Sequence, residues 1–434
     1  MSEYNHCVCL DINKCTGCTT CMKYCPTEAI RILNSKAKID PDKCIDCGEC
    51  IRVCQNHAKK SDYDSLGEIN NYKYKVALPA PSLFAQFDNL DDIDIVMQGL
   101  IDLGFDDVFE VGLAAEIVSA YTRTYLKTEG IKKPVISTAC PVIARLVALR
   151  FPFLKDNLIP LLPPIEIAAQ MARDKAKKEH PELNYDDICI CFISPCPAKV
   201  SFIRNGFGSH KSRVTLAVSM SEIYFKLINV MQKRESYSVS AKEGRVGLSW
   251  AMCGGEASAL LDNRIIAADG IRNVINVLDQ IEDGKIPNVN FVELNACPGG
   301  CVGGVMAIEN PYIAKNRLHS LRRFMPVTQE NLRQYEGSVP DSGYINRFPD
   351  YKPLNRLSDN IGESMRLLGK IQQIKNCLPG IDCGACGAPS CRAFAEDLVK
   401  GIADENDCII AYKDLFKQYI DNYDKYAKGA EDEC

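Results

Sequence analysis

No apolar run of about 18 residues or more occurs in this 434-residue chain, so no transmembrane helix is expected. Its first residues, MSEYNHCVCLDINKC, lack the apolar stretch of a secretory leader, and no such leader is expected. No basic patch or stripe stands out. Lys and Arg total 51 against 56 Asp and Glu, the signs are mixed, and the net charge is −5, which argues against nucleic acid as a partner. Tryptophan is reduced to a single residue, Trp250. Cysteine is what the chain has in excess, with 23 residues clustered at metal-ligand spacing. In a long chain without a leader this points to a reducing cytoplasm and metal binding rather than to disulfides. The length suits about three domains with buried cores.

Residues 290–305, NFVELNACPGGCVGGV, read as a short apolar strand, 291–294, entering a turn with Cys297 and Cys301 four apart. The glycines let the backbone approach a bulky inorganic group and adopt positive φ. Thiolates are soft ligands suited to iron–sulfur clusters. Taken alone, Cys-x3-Cys in a Gly-rich turn is a weak signal and a buried thiol pair is the commoner reading, so the remaining cysteines decide.

Near the amino terminus, Cys15-x2-Cys18-x2-Cys21-x3-Cys25-Pro26 is followed by Cys44-x2-Cys47-x2-Cys50-x3-Cys54. This duplication is similar to the two-cluster bacterial ferredoxins, in which the fourth cysteine of each run serves the other cluster. The resemblance implies one [4Fe–4S] on Cys15, Cys18, Cys21 and Cys54, and a second on Cys44, Cys47, Cys50 and Cys25. Gln55 stands where proline usually follows. Cys7 and Cys9 lie in an apparent strand whose alternation would send both to one face, near the first cluster. His57 reads as a surface residue, and polar residues 61–74 as a boundary.

From Lys75 strands and helices alternate, with amphipathic helices expected at 91–103 and 113–128 and a strand through DDVFEVG. Such alternation predicts a mainly parallel sheet covered on both faces, with ligands gathered at strand carboxyl ends. Cys140, Cys196 and Cys297 each follow an apolar run, so three strand ends, with Cys301, would bring four thiolates to one crevice. Cys189 and Cys191 read as packing residues within their strand.

The loops STACPVIARL, SPCPAK and ELNACPGGCVGG resemble the signature segments of [FeFe] hydrogenases, whose usual forms are T-S-C-C-P, M-P-C-x-x-K-x-x-E and E-x-M-x-C-x-x-G-C-x-x-G. PAPS at 79–82 and GLSWAMCGG at 247–255 fit further family positions, so the likeness covers most of residues 75–320. It implies an α/β domain of parallel sheets with flanking helices and a cluster between lobes. In the family pattern Cys140, Cys196, Cys297 and Cys301 hold a [4Fe–4S] cubane. Cys301 bridges to a diiron azadithiolate subcluster bearing CO and cyanide, and the pair is the H-cluster. Lys199 and Ser82 match donors of hydrogen bonds to cyanide, Pro81 belongs to the same segment, and Trp250 matches an aromatic near the diiron unit or a core residue.

Departures from the pattern are as informative. Ala139 stands where a cysteine normally passes protons, and Phe202 replaces the glutamate of the second motif. Tyr121 and Thr122 occupy the region of the usual proton-path glutamates. Ser194 and Asn295 replace methionines, and 163–166 lacks a usual glutamine. Proton transfer still needs a donor within reach. Cys253 is the first candidate for a substitute relay and Glu256 the next, although Cys253 also suits a small buried hydrophobe.

After a polar, linker-like stretch at about 325–355, Cys383-x2-Cys386-x4-Cys391-x16-Cys408 resembles the iron–sulfur domain of electron-transfer B subunits in ion-translocating reductases, implying a further [4Fe–4S]. Cys377 lies before it, an amphipathic helix is expected over 412–434, and Cys434 reads as a free thiol. The expected arrangement is therefore an α+β ferredoxin-like segment at 1–62, an H-cluster domain at 75–325 and a mostly helical iron–sulfur domain at 356–434. The resemblance implies the reaction H2 ⇌ 2H⁺ + 2e⁻, run slowly, with ferredoxin or another redox protein as electron partner and maturation proteins to supply the diiron unit. Two rivals stand beside it: a sensor of H2 or redox state reporting to a separate signalling partner, and a cluster-assembly relative without the diiron unit.

Overall fold

The computed structural model describes every residue except 1–4, 207–210, 234–235, 329–331, 346–347, 349–356, 359, 414–419 and 421–434. The helix expected over 412–434 lies almost wholly outside the described residues, as does Cys434. The chain divides into two compact units, one of residues 1–9, 45–48 and 60–352, the other of residues 10–44, 49–59 and 353–434. No helix among the described residues is long and apolar enough to cross a membrane.

Two parallel sheets organise the larger unit. The first runs in the order Asp107–Val108, Tyr74–Pro79, Ile188–Ser194, Leu216–Ser219, with Tyr74 opposite Ile188 and Cys191 opposite Leu216. Its central strand, ICICFIS, is buried at all seven positions. A strand covered on both faces reads as a continuous apolar run, and that explains why Cys189 and Cys191 sit fully buried within it. The second sheet has Phe291–Asn295 between Ile265–Asp269 and Val135–Ile136, with Phe291 opposite both Ile265 and Val135. Helices fill the crossovers, as parallel pairing requires.

Several of these helices start on proline: Pro141–Arg150, Pro164–Glu179, Pro197–Asn205 and Pro311–Leu321. Proline suits a first helical position because its fixed φ is already helical and that N–H has no intrahelical partner. The Cys-Pro pairs at 140–141 and 196–197 are therefore helix starts placed directly after strands. The helix expected over 91–103 occupies Asp94–Asp102, and that expected over 113–128 occupies Val111–Tyr125.

Within the stretch expected as a linker, residues 332–345 are seated on the core. Single turns form at Leu332–Tyr335 and Asp341–Gly343, and Tyr335, Val339 and Tyr344 pack on a core of Ile117, Tyr121, Val135 and Phe291. Arg123 closes on Glu336 at 2.8 Å. Three apolar side chains scattered among polar ones suffice to seat the segment, and scattering hid them from a periodicity search.

Residues 61–74 are also ordered. Ser65 and Glu68 form a capping box over the turn Leu66–Asn71. Arg204 holds Asp62 at 2.6 Å and Asp64 at 2.7 Å, and it lies 3.6 Å from the Cys7 sulfur. Cys7 and Cys9 do not share an environment: Cys7 is buried, Cys9 exposed. The strand starts only at Val8, and Cys7 before it is drawn inward by its N–H bond to the Asp46 carboxylate at 2.9 Å.

In the smaller unit, Ile30–Leu33 and Lys36–Ile39 form an antiparallel hairpin through Asn34 and Ser35, both at positive φ as a tight two-residue turn needs. Helices Ile361–Cys377 and Cys391–Val399 belong to the same unit. Arg31 forks onto Asp397, with both side chains largely buried, and the Ile32 N–H donates to the Gly387 carbonyl at 2.9 Å. A Cβ at Gly387 would fall 2.1 Å from the Ile32 oxygen.

Phe291 is fully buried at the centre of its sheet, whereas Phe153 is 77% exposed. Phe291→Ala is expected to cost about 3–5 kcal/mol, and Phe153→Ala less than about 0.5 kcal/mol. Thermal and denaturant unfolding of the two variants against the parent chain measures the contrast.

Candidate metal centre

Three strand ends deliver the central cysteines. Cys140 and Cys196 are the residues immediately before the helices Pro141–Arg150 and Pro197–Asn205, so both sit at helix amino termini, where free N–H groups and the helix dipole favour negative charge. Cys297 follows the strand Phe291–Asn295, and Cys301 opens the turn Cys301–Gly303. This last loop closes only because of its glycines. Gly300 has φ of +96°, and a Cβ there would lie 2.5 Å from the Cys253 nitrogen; one at Gly304 would lie 2.2 Å from the Pro195 oxygen. The second contact pins the Cys301 loop beside Cys196. On the same loop, Gly48 of the 45–48 segment packs against Val305.

Lys199 stands among these thiols, its Nζ 3.5 Å from the Cys301 sulfur. Burial works against its charge, yet Cys301, Cys196, Cys140 and Cys297 together hold its pKa above the ordinary lysine value. Burial pushes the Cys140 thiol up to about 11, with Lys199 acting in the opposite sense, and the Cys196 thiol rises for the same reason. Thiols held this high lose their protons to a bound metal, and the lysine and the two helix termini suit the anionic assembly that results.

Next to them lies a cavity lined by Pro81, Ser82, Ala139, Lys199, Trp250, Glu256, Glu293, Asn295 and Cys301. The Ser82 hydroxyl is completely buried and has no hydrogen-bond partner among the described residues. A buried hydroxyl left unsatisfied costs about 1–3 kcal/mol, so an acceptor in the cavity fits it. Trp250 is anchored through its indole N–H, which donates to the Ser119 hydroxyl at 3.0 Å.

The buried carboxyls form a group of their own. Glu256 accepts from the Ser137 hydroxyl at 2.6 Å, and Ser137 in turn lies two residues before Ala139. Burial, and then the charge of Glu293, push the Glu256 carboxyl up to about 8. Glu293 is also raised by burial, although it accepts from the Gly254 and Ala257 amides and the Asn295 side chain. Sequence reasoning did not single out Glu293 or Ser137, although Glu293 opens the ELNACPGGCVGG segment and Ser137 the STACPVIARL segment, and those motif positions were the available signal. Cys253 does not line the cavity. Its amide donates to the Gly299 carbonyl, and burial, Glu293 and Asp269 push its thiol up to about 12.

The other departures have structural duties. Ser194 bonds its hydroxyl to the Cys196 carbonyl at 2.8 Å and receives the Cys196 amide, shaping the ligand turn. Phe202 and Tyr121 are buried core residues, and the Thr122 hydroxyl returns to the Val118 carbonyl. Glu166 accepts from the Ser212 hydroxyl and the Arg213 amide.

In the smaller unit, Cys15, Cys18, Cys21 and Cys54 line one cavity together with Gly17 and Lys59. That is the ligand set expected from the crossed spacing. Hydrogen bonds from the Thr20 backbone and hydroxyl lower the Cys18 pKa, favouring thiolate. The duplication is visible in the bonds: Ala29 donates to the Cys25 sulfur at 3.3 Å and Ala58 to the Cys54 sulfur at 3.3 Å. Cys25, Cys44 and Cys50 belong to the smaller unit, and Cys47 lies on the 45–48 loop of the larger one. His57 is exposed.

Among the carboxyl-terminal cysteines, burial raises the Cys386 thiol, with Cys408 and Cys383 close enough to add to the effect. Cys391 opens the helix Cys391–Val399, its amide bonded to the Asp382 carboxylate at 2.6 Å. Cys408 packs with Ala388, Ala393 and Phe394. Cys377 is exposed at the end of its helix. Soft thiolates in this number and grouping fit iron–sulfur clusters.

Comparison with known proteins matches residues 73–224 and 219–305 to the family described as "Iron only hydrogenase large subunit, C-terminal domain". Residues 14–58 match a 4Fe-4S dicluster domain and residues 378–410 a putative Fe-S cluster family. The periplasmic [Fe] hydrogenase large subunit of Nitratidesulfovibrio vulgaris is 24% identical over 366 residues, 69% of this chain and 86% of that protein. A probable cytosolic Fe-S cluster assembly factor of Drosophila virilis is 32% identical over 77 residues, 18% of this chain and 15% of that protein. Among solved structures, the [FeFe]-hydrogenase HydA1 of Chlamydomonas reinhardtii overlaps 60% of this chain and 88% of its own, at 16% identity and a TM-score of 0.46.

Cys391→Ser is expected to remove one cluster's share of iron and acid-labile sulfide from the purified chain. Cys377→Ser is expected to leave both unchanged, and chemical iron and sulfide analysis of the two variants decides.

Proposed function

The chain belongs to the iron-only hydrogenase large-subunit family through residues 73–305, and we propose that it interconverts H2 with protons and electrons at an H-cluster held by Cys140, Cys196, Cys297 and Cys301. The single observation that carries this reading is the pairing of Lys199 with the orphaned Ser82 hydroxyl around one cavity beside Cys301. Those two donors suit the cyanide ligands of a diiron unit held beside Cys301; Lys199 also suits the four thiolates, whereas the Ser82 hydroxyl would have no acceptor beside a cubane alone. When bound, the diiron unit with its CO, cyanide and azadithiolate ligands would supply the redox chemistry of H2 ⇌ 2H⁺ + 2e⁻, and the protein's part is to hold, orient and serve it with protons.

Cys301 would bridge the cubane and diiron unit; Lys199 and Ser82 would orient the latter. Pro81 and Trp250 would shape its walls. At position 139 a methyl group faces the cavity and transfers no proton. Glu256 takes that duty in our reading: it lines the cavity, is hydrogen-bonded to Ser137, and its carboxyl, raised to about 8, exchanges a proton near neutrality. Cys253 is the weaker choice because it lies off the cavity and its thiol is held at about 12. The loss of the usual cysteine argues for slow turnover.

Electrons would pass singly through the two amino-terminal [4Fe–4S] clusters and the carboxyl-terminal one to ferredoxin or another redox protein. Diiron maturation proteins complete the set of partners, and the many thiols suit the cytosol. A sensor role would use the same site and a separate signalling partner. An assembly-factor role would leave the Ser82 hydroxyl without an acceptor.

The test is H2-dependent dye reduction by the chain loaded with the diiron unit. Glu256→Gln is expected to lower turnover by about 10²-fold or more, and Cys253→Ala to change it little. Because Glu256 must be ionised to accept a proton, H2 oxidation by the parent chain should rise with pH and level off above about 8. A full rate in Glu256→Gln, or a lost one in Cys253→Ala, would reverse the assignment.

A further inference from the structure

One departure from the internal duplication of the amino-terminal segment falls at a position buried in both halves. In each half the fourth cysteine is followed four residues later by an alanine whose amide bonds back to the cysteine sulfur at 3.3 Å: Cys25 with Ala29, and Cys54 with Ala58. The next residue in the first half is Ile30, 2% exposed and wholly apolar. Its counterpart in the second half is Lys59, which is equally inaccessible at 3% exposure. A lysine at that position is almost never fully buried without a partner. Yet the Lys59 ammonium has no hydrogen-bond partner among the described residues.

What Lys59 does face is the cavity lined by Cys15, Cys18, Cys21 and Cys54. An unpaired buried ammonium costs several kcal/mol, and the cost falls when an anion takes up the facing space. A cluster held by four thiolates is such an anion, and it gains one more negative charge each time it accepts an electron. The ammonium therefore favours the reduced cluster over the oxidised one, and cluster potentials follow net charge and hydrogen bonds to sulfur. Consistent with its reach, Lys59 acts to lower the pKa of Cys21, which burial raises.

We propose that Lys59 is an internal cation directed at the cluster of Cys15, Cys18, Cys21 and Cys54, and that it sets this cluster's reduction potential above that of its sister. The two halves of the duplication are then electrically unequal, and this cluster is the one on which an electron rests first. The inference depends on the two-cluster reading of residues 14–58 and not on hydrogen turnover, since the cluster is a one-electron couple whether or not the diiron unit is loaded.

The experiment is a potentiometric titration followed by electron paramagnetic resonance on the full chain without diiron unit. Cys18→Ala identifies the signal of this cluster by removing it. Lys59→Ile installs the residue that already packs in the sister position, and Lys59→Arg keeps the charge. At the parent midpoint potential, Lys59→Ile is expected to cut the reduced-to-oxidised ratio of that signal about tenfold, a downward shift of about 59 mV for a one-electron couple. Lys59→Arg is expected to hold the ratio within about threefold, well inside one tenfold step. Lys59→Met, which retains the stem, replaces Lys59→Ile should the latter lose iron. An unmoved midpoint in the charge-free variants overturns the inference while leaving the clusters in place. A parent chain with no reducible signal sensitive to Cys18→Ala overturns the cluster reading and the inference together.

Discussion

A lysine ammonium set among four cysteine sulfurs is tolerable only where those sulfurs carry negative charge, and the larger unit is built around that requirement. Lys199 draws its raised pKa from Cys301, Cys196, Cys140 and Cys297, while burial holds the Cys140 and Cys196 thiols high. Neither side is satisfied by protein alone. A metal resolves both at once, because it converts the thiols to thiolates and leaves the ammonium facing an anionic assembly.

The architecture serves this point. Parallel strands bring their carboxyl ends to one side, and prolines at 141 and 197 start helices immediately after two of the cysteines, so both stand at helix amino termini, which favour negative charge. The third approach, through 297–304, bends too sharply for side chains and is carried by glycines pressed against Cys253 and Pro195. Sheet, helix start and loop each contribute one part of a charged pocket that none could form separately. The cavity beyond adds a second constraint, since the Ser82 hydroxyl is buried there without an acceptor.

The spacing of cysteines was readable because ligand geometry imposes it directly on the chain. Cys15, Cys18, Cys21 and Cys54 do converge, as do the strand ends bearing Cys140, Cys196 and Cys297, and the parallel sheets follow from alternating strands and helices. Contacts set by tertiary packing were not readable. Cys7 and Cys9 part company because the strand begins one residue later than the alternation implied. Residues 332–345 dock through a few scattered apolar side chains that leave no period. Glu293 and Ser137 stand within the ELNACPGGCVGG and STACPVIARL segments, but their bonds to Gly254, Ala257 and Glu256 come from tertiary packing, and Cys253, conspicuous beside two glycines, lies away from the cavity. Lys59 is the intermediate case: its identity is plain in the sequence, but only its burial makes it notable.

The central claim is that the cavity beside Cys301 holds a diiron unit oriented by Lys199 and Ser82. Infrared spectroscopy of the chain after loading with that unit tests it most directly. Carbon monoxide and cyanide stretching bands are expected, with a cyanide band displaced in Ser82→Ala because its hydrogen-bond donor is gone. Loading that yields no such bands, or bands identical in the parent chain and Ser82→Ala, would contradict it.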